Sequence, residues 1–241
     1  MGQHYIETAV WSKIYAFLRG YGGIYVGNED KTRLFIEAVH WIMRSGAQWK
    51  NLPESYGAYK SVHKRYNTWA RKGIWEAMME HFAADADGEW VMLDSTITRA
   101  HPCAAGYKAG GNECEALGRS RGGFTTKIHA LVDALGNPLK FCLTGGHRND
   151  ITQAAELIEG IQQSLVLGDK GYDADTFIQQ IEDQDCQAVI PPRQNRNEQR
   201  VYDEDLYKER NLVERFFRKI KSWRRIFSRF DRQAKNYLSF I

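Results

Sequence analysis

Two short apolar runs, Trp90-Val91-Met92-Leu93 and Leu165-Val166-Leu167-Gly168, are each followed at once by an aspartate, Asp94 and Asp169. Such a run reads as a buried strand, so the chain is committed to a sheet. Ligands in open α/β sheets lie beyond the carboxyl ends of the strands. Both aspartates are therefore expected where their strands stop, at one edge of the sheet. A third acid, Glu214, lies far downstream inside a strongly basic helical segment, where a carboxylate needs a reason. Three acids at one sheet edge point to a divalent-metal site for phosphoryl transfer.

The rest of the chain fits around that sheet. Residues 1–84 read as helical, with Asn28 or Asp30 capping a helix that carries Leu34, Ile36, Val39, Ile42 and Met43. A loop from Trp49 to Tyr56 contains Pro53, and helices follow from about Ala58 to Lys72 and from Ile74 to about Ala84. The stretch 84–88 is the expected boundary between a domain 1–84 and a domain 88–241. Beyond the first strand, the Gly-rich stretch Ala104 to Gly123 reads as a flexible loop. Ile128, Ala130 and Val132 alternate, Gly136-Asn137-Pro138 turns, and Leu139, Phe141 and Leu143 alternate again, which is a hairpin. A helix around Ile151–Ile161, the strand into Asp169, a helix over 174–183, a strand at Ala188–Ile190 and a long C-terminal helix complete a mixed sheet with flanking helices, an α/β layered domain.

Charge is unevenly spread. The net charge is +3, yet Arg193 to Lys235 holds 14 Lys/Arg against 7 Asp/Glu, leaving the remainder mildly acidic. A basic arm on an acidic body suits a polyanion such as nucleic acid, although a solvated charged helix has the same composition. No run approaches the roughly 18 apolar residues of a membrane span, and no signal sequence is visible, so a cytosolic protein without membrane contact is expected. The four cysteines, Cys103, Cys114, Cys142 and Cys186, form no CxxC pair and read as free thiols. His101, Cys103 and Cys114 match no common zinc spacing.

The C-terminal helix carries the most chemistry. Tyr207, Arg210, Glu214, Arg218 and Lys221 fall within about 40° of Glu214 at about 100° per residue. Leu212, Phe216, Ile220, Trp223 and Phe227 line the opposite face and are expected against the sheet. Alone, the stripe reads equally as exposed i,i+4 ion pairs. Three gathered carboxylates, however, repel one another unless cations neutralise them. Hard oxygen donors suit Mg²⁺, and two such ions about 4 Å apart can activate an attacking oxygen and stabilise a leaving one. Flanking Arg and Lys would hold phosphates.

The spacing Tyr207-x2-Arg210-x3-Glu214-x6-Lys221, with Asp94-Ser95-Thr96 and Gly168-Asp169-Lys170-Gly171-Tyr172-Asp173, resembles the DDE transposases of bacterial insertion sequences, in the branch grouping insertion sequences four and five. Arg121-Gly122-Gly123-Phe124-Thr125-Thr126-Lys127-Ile128-His129 and Gly46-Ala47-Gln48-Trp49-Lys50-Asn51-Leu52-Pro53 are similar to recurrent segments of that family. The resemblance implies a ribonuclease-H-like catalytic domain in which Asp94, Asp169 and Glu214 bind two Mg²⁺, with Mn²⁺ able to substitute. It implies double-stranded DNA partners (terminal inverted repeats and target), nicking at transposon ends, transfer of the freed 3′-hydroxyl, and a dimer or larger assembly at synapsis in the bacterial cytosol. Two departures are visible. Only the 44 residues 170–213 separate Asp169 from Glu214, so a large β-rich insertion is absent, and relatives commonly continue beyond Ile241. A decayed copy that binds DNA without catalysis, or a stand-alone metal-dependent endonuclease, are the alternatives.

Several residues compete for roles. Asp173 rivals Asp169 if the strand ends later, and Asp150 reads as a helix N-cap or a supporting acid. Asp133 reads as structural, His101 and His129 as structural or site residues, and Lys170 as a surface or phosphate-contacting lysine. The segment 106–123 lacks GxxxxGK and is no nucleotide cradle. In the helix at 58–72, Lys60, Lys64, Asn67 and Arg71 share a face opposite Val62, Tyr66 and Trp69. This is either a helix-turn-helix-like DNA contact or an ordinary bundle helix. The resemblance favours the DNA contact, through Lys60, Lys64 and Arg71.

Overall fold

The computed structural model describes residues 6–84, 86–105, 115–196 and 199–241. Four helices open the chain: α1 (Thr8–Gly20), α2 (Glu29–Ser45), α3 (Tyr59–Arg71) and α4 (Ile74–Ala83). Of the two candidate caps for α2, Asn28 is the one used, its side chain accepting from the Lys31 amide at 2.8 Å. Glu29 and Asp30 fill the first turn, where they favour the helix dipole. Gly46 closes the helix at φ +65, a left-handed position that a side chain would strain. Two 3₁₀ turns, Trp49–Asn51 and Glu54–Tyr56, bridge to α3. Phe35, Trp69 and Trp75 interlock between the helices, with Trp69 centred 4.9 Å from Phe35 and 5.2 Å from Trp75.

The sheet is mixed. Its strands are β1 (Trp90–Ala100), β2 (Gly118–Ser120), β3 (Gly123–Asp133), β4 (Pro138–Gly145), β5 (Leu165–Leu167), β6 (Gln187–Val189) and β7 (Ser228–Arg229). β1 is central: antiparallel to β3 on one side, parallel to β5 and then β7 on the other. β3 carries β4 and β2, and β5 carries β6. Between β4 and β5, a 3₁₀ turn (Asp150–Gln153) and the short α5 (Ala154–Ile158) replace the single helix expected over Ile151–Ile161. α6 (Asp175–Glu182) links β5 to β6. The Gly-rich stretch expected as a loop supplies β2 near its end, while its residues 106–114 lie outside the described residues.

The expected long C-terminal helix is segmented. α7 (Glu204–Tyr207) passes through a 3₁₀ turn (Lys208–Arg210) into α8 (Asn211–Lys221), and α9 (Arg224–Phe227), β7 and α10 (Ala234–Leu238) follow. This changes the apolar face. Val213, Phe216, Phe217 and Ile220 are buried, but Phe227 is 63% exposed, because Trp223 starts a new turn and rotates the residues after it. Leu212 and Trp223 are only partly buried against the core.

Strand alternation divides the core in two. Met92, Ala130, Val132 and Leu167 face α8 and share one cluster with the apolar residues of α1–α4 and with Tyr237 and Phe240. Val91, Leu93, Leu131 and Val166 face α5 and α6. Polar bonds tie the chain end to the N-terminal helices. Arg225 pairs with Asp231 at 2.9 and 3.0 Å and donates to the Ala47 carbonyl, and the Tyr66 hydroxyl donates to the Asn236 carbonyl. Arg229, fully buried, donates to Thr126 Oγ1 and to the carbonyls of Ala116, Asp231 and Arg232. Among the described residues, no helix is long and apolar enough to cross a membrane.

Candidate active site

Asp94 does not end a strand. It is the fifth residue of the eleven in β1, which continues to Ala100 because β3 pairs with it as far as Arg99. What ends near Asp94 is the neighbour on the other edge. β5 pairs only with Trp90–Met92 and β7 rejoins at Arg99, so the β1 edge between them is open. Extending the Met92–Leu167 register by two residues sets Asp169 opposite Asp94. The sheet edge expected from the sequence is thus a notch inside the sheet.

Asp169 is held there by its own turn. Its Oδ1 accepts from the Gly171 amide at 2.7 Å, and a Cβ at position 171 would stand 2.7 Å from that same oxygen, so only glycine leaves room. Asp94 shares the sheet face of Met92, on which α8 lies. The buried face of α8 centres roughly 110° from Glu214 at about 100° per residue, so Glu214 sits at the border of the packed face and reaches the sheet. Farther along, Lys221 Nζ donates to the Ile97 carbonyl at 3.0 Å. Three residues of strand and seven of helix both span about 10 Å, so the helix keeps step with β1 along the notch.

Arg210 joins the elements. Its Nη1 donates to Asp94 Oδ2 at 2.8 Å and its Nη2 to Glu214 Oε1 at 2.7 Å, while its guanidinium lies 5.8 Å from the centre of the Tyr207 ring. Burial works against this cation, but Asp94, Tyr207, Glu214 and Asp169 together outweigh it and hold its pKa above the ordinary value. Burial raises the Asp94 carboxyl, opposed by the Ser95 amide and by Arg210, and the Asp169 charge raises it further. Two carboxylates from two elements therefore bond one positive group, and the charge of a third, Asp169, acts on it. The donor set suits a hard divalent cation. With Arg210 between Asp94 and Glu214, no group of three His, Cys, Asp or Glu among the described residues is drawn into metal-holding geometry.

The rival acids have other duties. Asp173 is 3% exposed and saturated: it accepts from the Arg193 amide and forms ion pairs with Arg196 and Arg200. Asp150 is not a cap, since Asn149 occupies that position. It accepts from Ser95 Oγ and pairs with Lys127 at 2.8 Å, directly behind the strand that carries Asp94. The sequence contained Lys127 but not this role, which depends on Ser95 and Lys127 facing the same way from neighbouring strands. Asp133 is structural, accepting from the amides of Leu135 and Asn137. His129 is fully buried and bonded to Thr144 at 2.8 Å, whereas His101 is exposed and accepts from the Cys103 amide. Cys103, Cys142 and Cys186 are free thiols, and Cys114 lies outside the described residues.

Comparison with known proteins now decides the family. Residues 86–241 match the family described as "Transposase DDE domain", and residues 6–79 match "Putative transposase of IS4/5 family". The chain belongs to the DDE transposases. It is 38% identical over 121 residues to the "Putative transposase for insertion sequence element IS6501" of Brucella ovis, covering 48% of this chain and 92% of that one. It is 43% identical over 98 residues to protein y4sN of Sinorhizobium fredii, covering 41% and 78%. A piggyBac transposase synaptic complex with hairpin DNA aligns with 78% of this chain and 48% of that one, at 13% identity and a TM-score of 0.39, too distant a likeness to carry an argument.

The other expected DNA-contacting residues of this transposase fall into two groups. On α8, Arg218 is exposed, whereas Arg210 and Lys221 are engaged by the protein itself. Burial lowers the Lys221 pKa. On α3, Lys60, Lys64 and Arg71 are exposed and line an open groove of about 430 Å³ with Tyr59, His63, Asn67 and Gln233. Val62, Tyr66 and Trp69 form the buried face of α3.

Proposed function

We propose that this DDE transposase cleaves transposon ends and transfers the freed 3′-hydroxyl to target DNA at a site built by Asp94, Asp169 and Glu214. The supporting observation is the Arg210 guanidinium, bonded at once to Asp94 and Glu214 with Asp169 as the next carboxylate. The Arg210 cation links the acids of β1 and α8, and the Asp169 charge in the turn after β5 acts on both Asp94 and Arg210. Divalent cations held by these carboxylates would supply the charge that activates an attacking oxygen and steadies a leaving one. When Arg210 swings outward, its planar fork suits a DNA phosphate, with Tyr207 beside it and Arg218 and Lys221 farther along the helix. The Ser95–Asp150–Lys127 group holds the strand behind Asp94, since the Ser95 amide donates to Asp94 Oδ1 at 2.7 Å.

The same reading divides the molecule by task. Residues 88–241 form a ribonuclease-H-like catalytic layer, supported by the order β4-β3-β1-β5-β6 with β1 antiparallel to β3 and parallel to β5. Residues 1–84 present the basic face of α3 to duplex DNA in a helix-turn-helix-like manner, and at least two copies act at synapsis. The test is Mg²⁺- or Mn²⁺-dependent cleavage of DNA carrying the element's own ends. Asp94→Asn should abolish cleavage while leaving DNA binding intact. Cleavage at the wild-type rate by that variant removes Asp94 from the mechanism. A pre-cleaved end tests the joining step, because an endonuclease alone would not link its 3′-hydroxyl to new DNA.

A further inference from the structure

The Arg121-Gly122-Gly123 segment lies outside the catalytic notch, and the structure shows what surrounds it. Ser120 pairs with Gly123 across a two-residue turn of Arg121 and Gly122, so β2 and β3 form a tight hairpin tip. Three arginines collect there. Arg119 pairs across the hairpin with Phe124, its guanidinium 5.2 Å from the ring centre. Arg121 occupies the turn. Arg99 lies beside Thr125 on the adjoining strand β1, and a Cβ on Gly122 would meet its Nε at 3.6 Å. All three arginines are exposed, and none has a carboxylate within ion-pair distance among the described residues. Elsewhere Arg33, Lys127, Arg196, Arg200, Arg210 and Arg225 are each paired with an acid.

We propose that this hairpin tip is a second DNA-contacting surface, gripping the phosphates of the duplex that flanks the reacting phosphate. The proposal rests on the reading that the catalytic notch acts on DNA. Three arguments support it. Exposed guanidiniums with no acid partner among the described residues are free to meet a polyanion, and Arg matches phosphate geometry. Residues alternate across a strand, so Arg99 and Arg119 leave on opposite faces of the sheet. Arg99 stands at the base of the hairpin on β1, between β3 and β7, so a duplex laid along this end of the sheet would meet cations from both faces. Gly122 and Gly123 keep the tip narrow; nothing lies within 4 Å of a Cβ placed at Gly123. The strand itself sets the spacing: Arg99 lies five residues beyond Asp94, about 17 Å along β1, or about five base pairs of duplex. The contact reads phosphate and shape, not sequence.

The test compares wild type with Arg99→Gln/Arg119→Gln/Arg121→Gln for binding to a duplex of arbitrary sequence and to a duplex carrying the element's ends, over a range of KCl concentrations. The slope of log K against log salt should become shallower by roughly 2.5 to 3 on both duplexes. Substituting all three with Lys should restore most of the slope. Phosphate-ethylation interference should lose a patch about five base pairs from the cleavage position. Unchanged slope and interference in a triple variant of wild-type circular dichroism would overturn the proposal. If Lys60→Gln/Lys64→Gln/Arg71→Gln alone flattens the slope, the hairpin has no part in binding, although DNA recognition stands. Absence of any salt-sensitive binding by wild type would remove both the proposal and the reading beneath it.

Discussion

Arg210 keeps Asp94 and Glu214 from facing each other without a counter-charge. Arg210→Gln should therefore lower metal-free stability by about 1–2 kcal/mol, the loss of two charge-assisted bonds in a half-exposed setting. The same variant should gain more thermal stability than wild type from Ca²⁺, because its acids no longer have an internal partner. Equal Ca²⁺-induced shifts in a thermal melt would show that Arg210 does not compete with metal. His129 offers a pH-dependent counterpart away from the acids. Burial, with Lys127 adding to it against Asp150, depresses its pKa to about 4 from 6.5. The unfolded state then binds the proton more readily, so the stabilisation is complete above 6.5 and is lost as pH falls from 6.5 towards 4. The loss should be on the order of 3 kcal/mol. Denaturant midpoints at pH 7, 5.5 and 4.5 check it, and the part due to this residue should vanish in His129→Gln.

At the scale of elements, the segment after β6 is held by the buried Asp173 together with the exposed Asp175. Asp173 accepts from the Arg193 amide and pairs with Arg196 and Arg200. Replacing it with Ala removes the buried partner of both arginines and leaves them only the exposed Asp175, at 2.6 Å from Arg196 and 3.5 Å from Arg200, and should cost about 1–2 kcal/mol. Trypsin should then cut at Arg193, Arg196 and Arg200 faster than in wild type, with α8 still protected. Uniform cleavage rates across the chain would show that Asp173 supports the global fold instead. The helix α8 teaches a related lesson. The 3.6-residue spacing placed Phe216 and Ile220 on its buried face but misplaced Phe227, because the end of the helix at Lys221 and the turn at Trp223 rotate Phe227 into solvent. A helical wheel assumes a continuous helix, and the break depends on tertiary contacts that local propensity does not record.

For the whole molecule, the shared apolar cluster makes the N-terminal helices and the sheet a single cooperative unit. The apolar residues of α1–α4, α8 and α10 share one cluster with Met92, and Tyr66–Asn236 and Arg225–Ala47 bonds cross between the chain's two ends. Tryptophan fluorescence, which reports mainly on the helices, and far-UV circular dichroism should therefore melt together. A fragment covering 86–241 should bind a hydrophobic dye, since removing α1–α4 uncovers the sheet. Two separate transitions would mean that the shared core contributes little.

Periodicity and motif spacing by themselves determined much of this protein: the start of α2, the helices α3 and α4 to within a residue, the hairpin of β3 and β4, and the mixed sheet with flanking helices. Those features arise from local rules of alternation, capping and helical repeat, which act within a few residues. Only the tertiary structure decided that Asp94 lies mid-strand, that Arg210 bridges two acids, that Asp150 supports Ser95 and that Asp173 is sequestered. The Arg210–Glu214 bond is a local i,i+4 pair, but Asp94–Arg210, Ser95–Asp150 and Asp173–Arg196 join side chains 116, 55 and 23 positions apart. No local pattern encodes such a meeting, because packing selects it only when the whole sheet has closed.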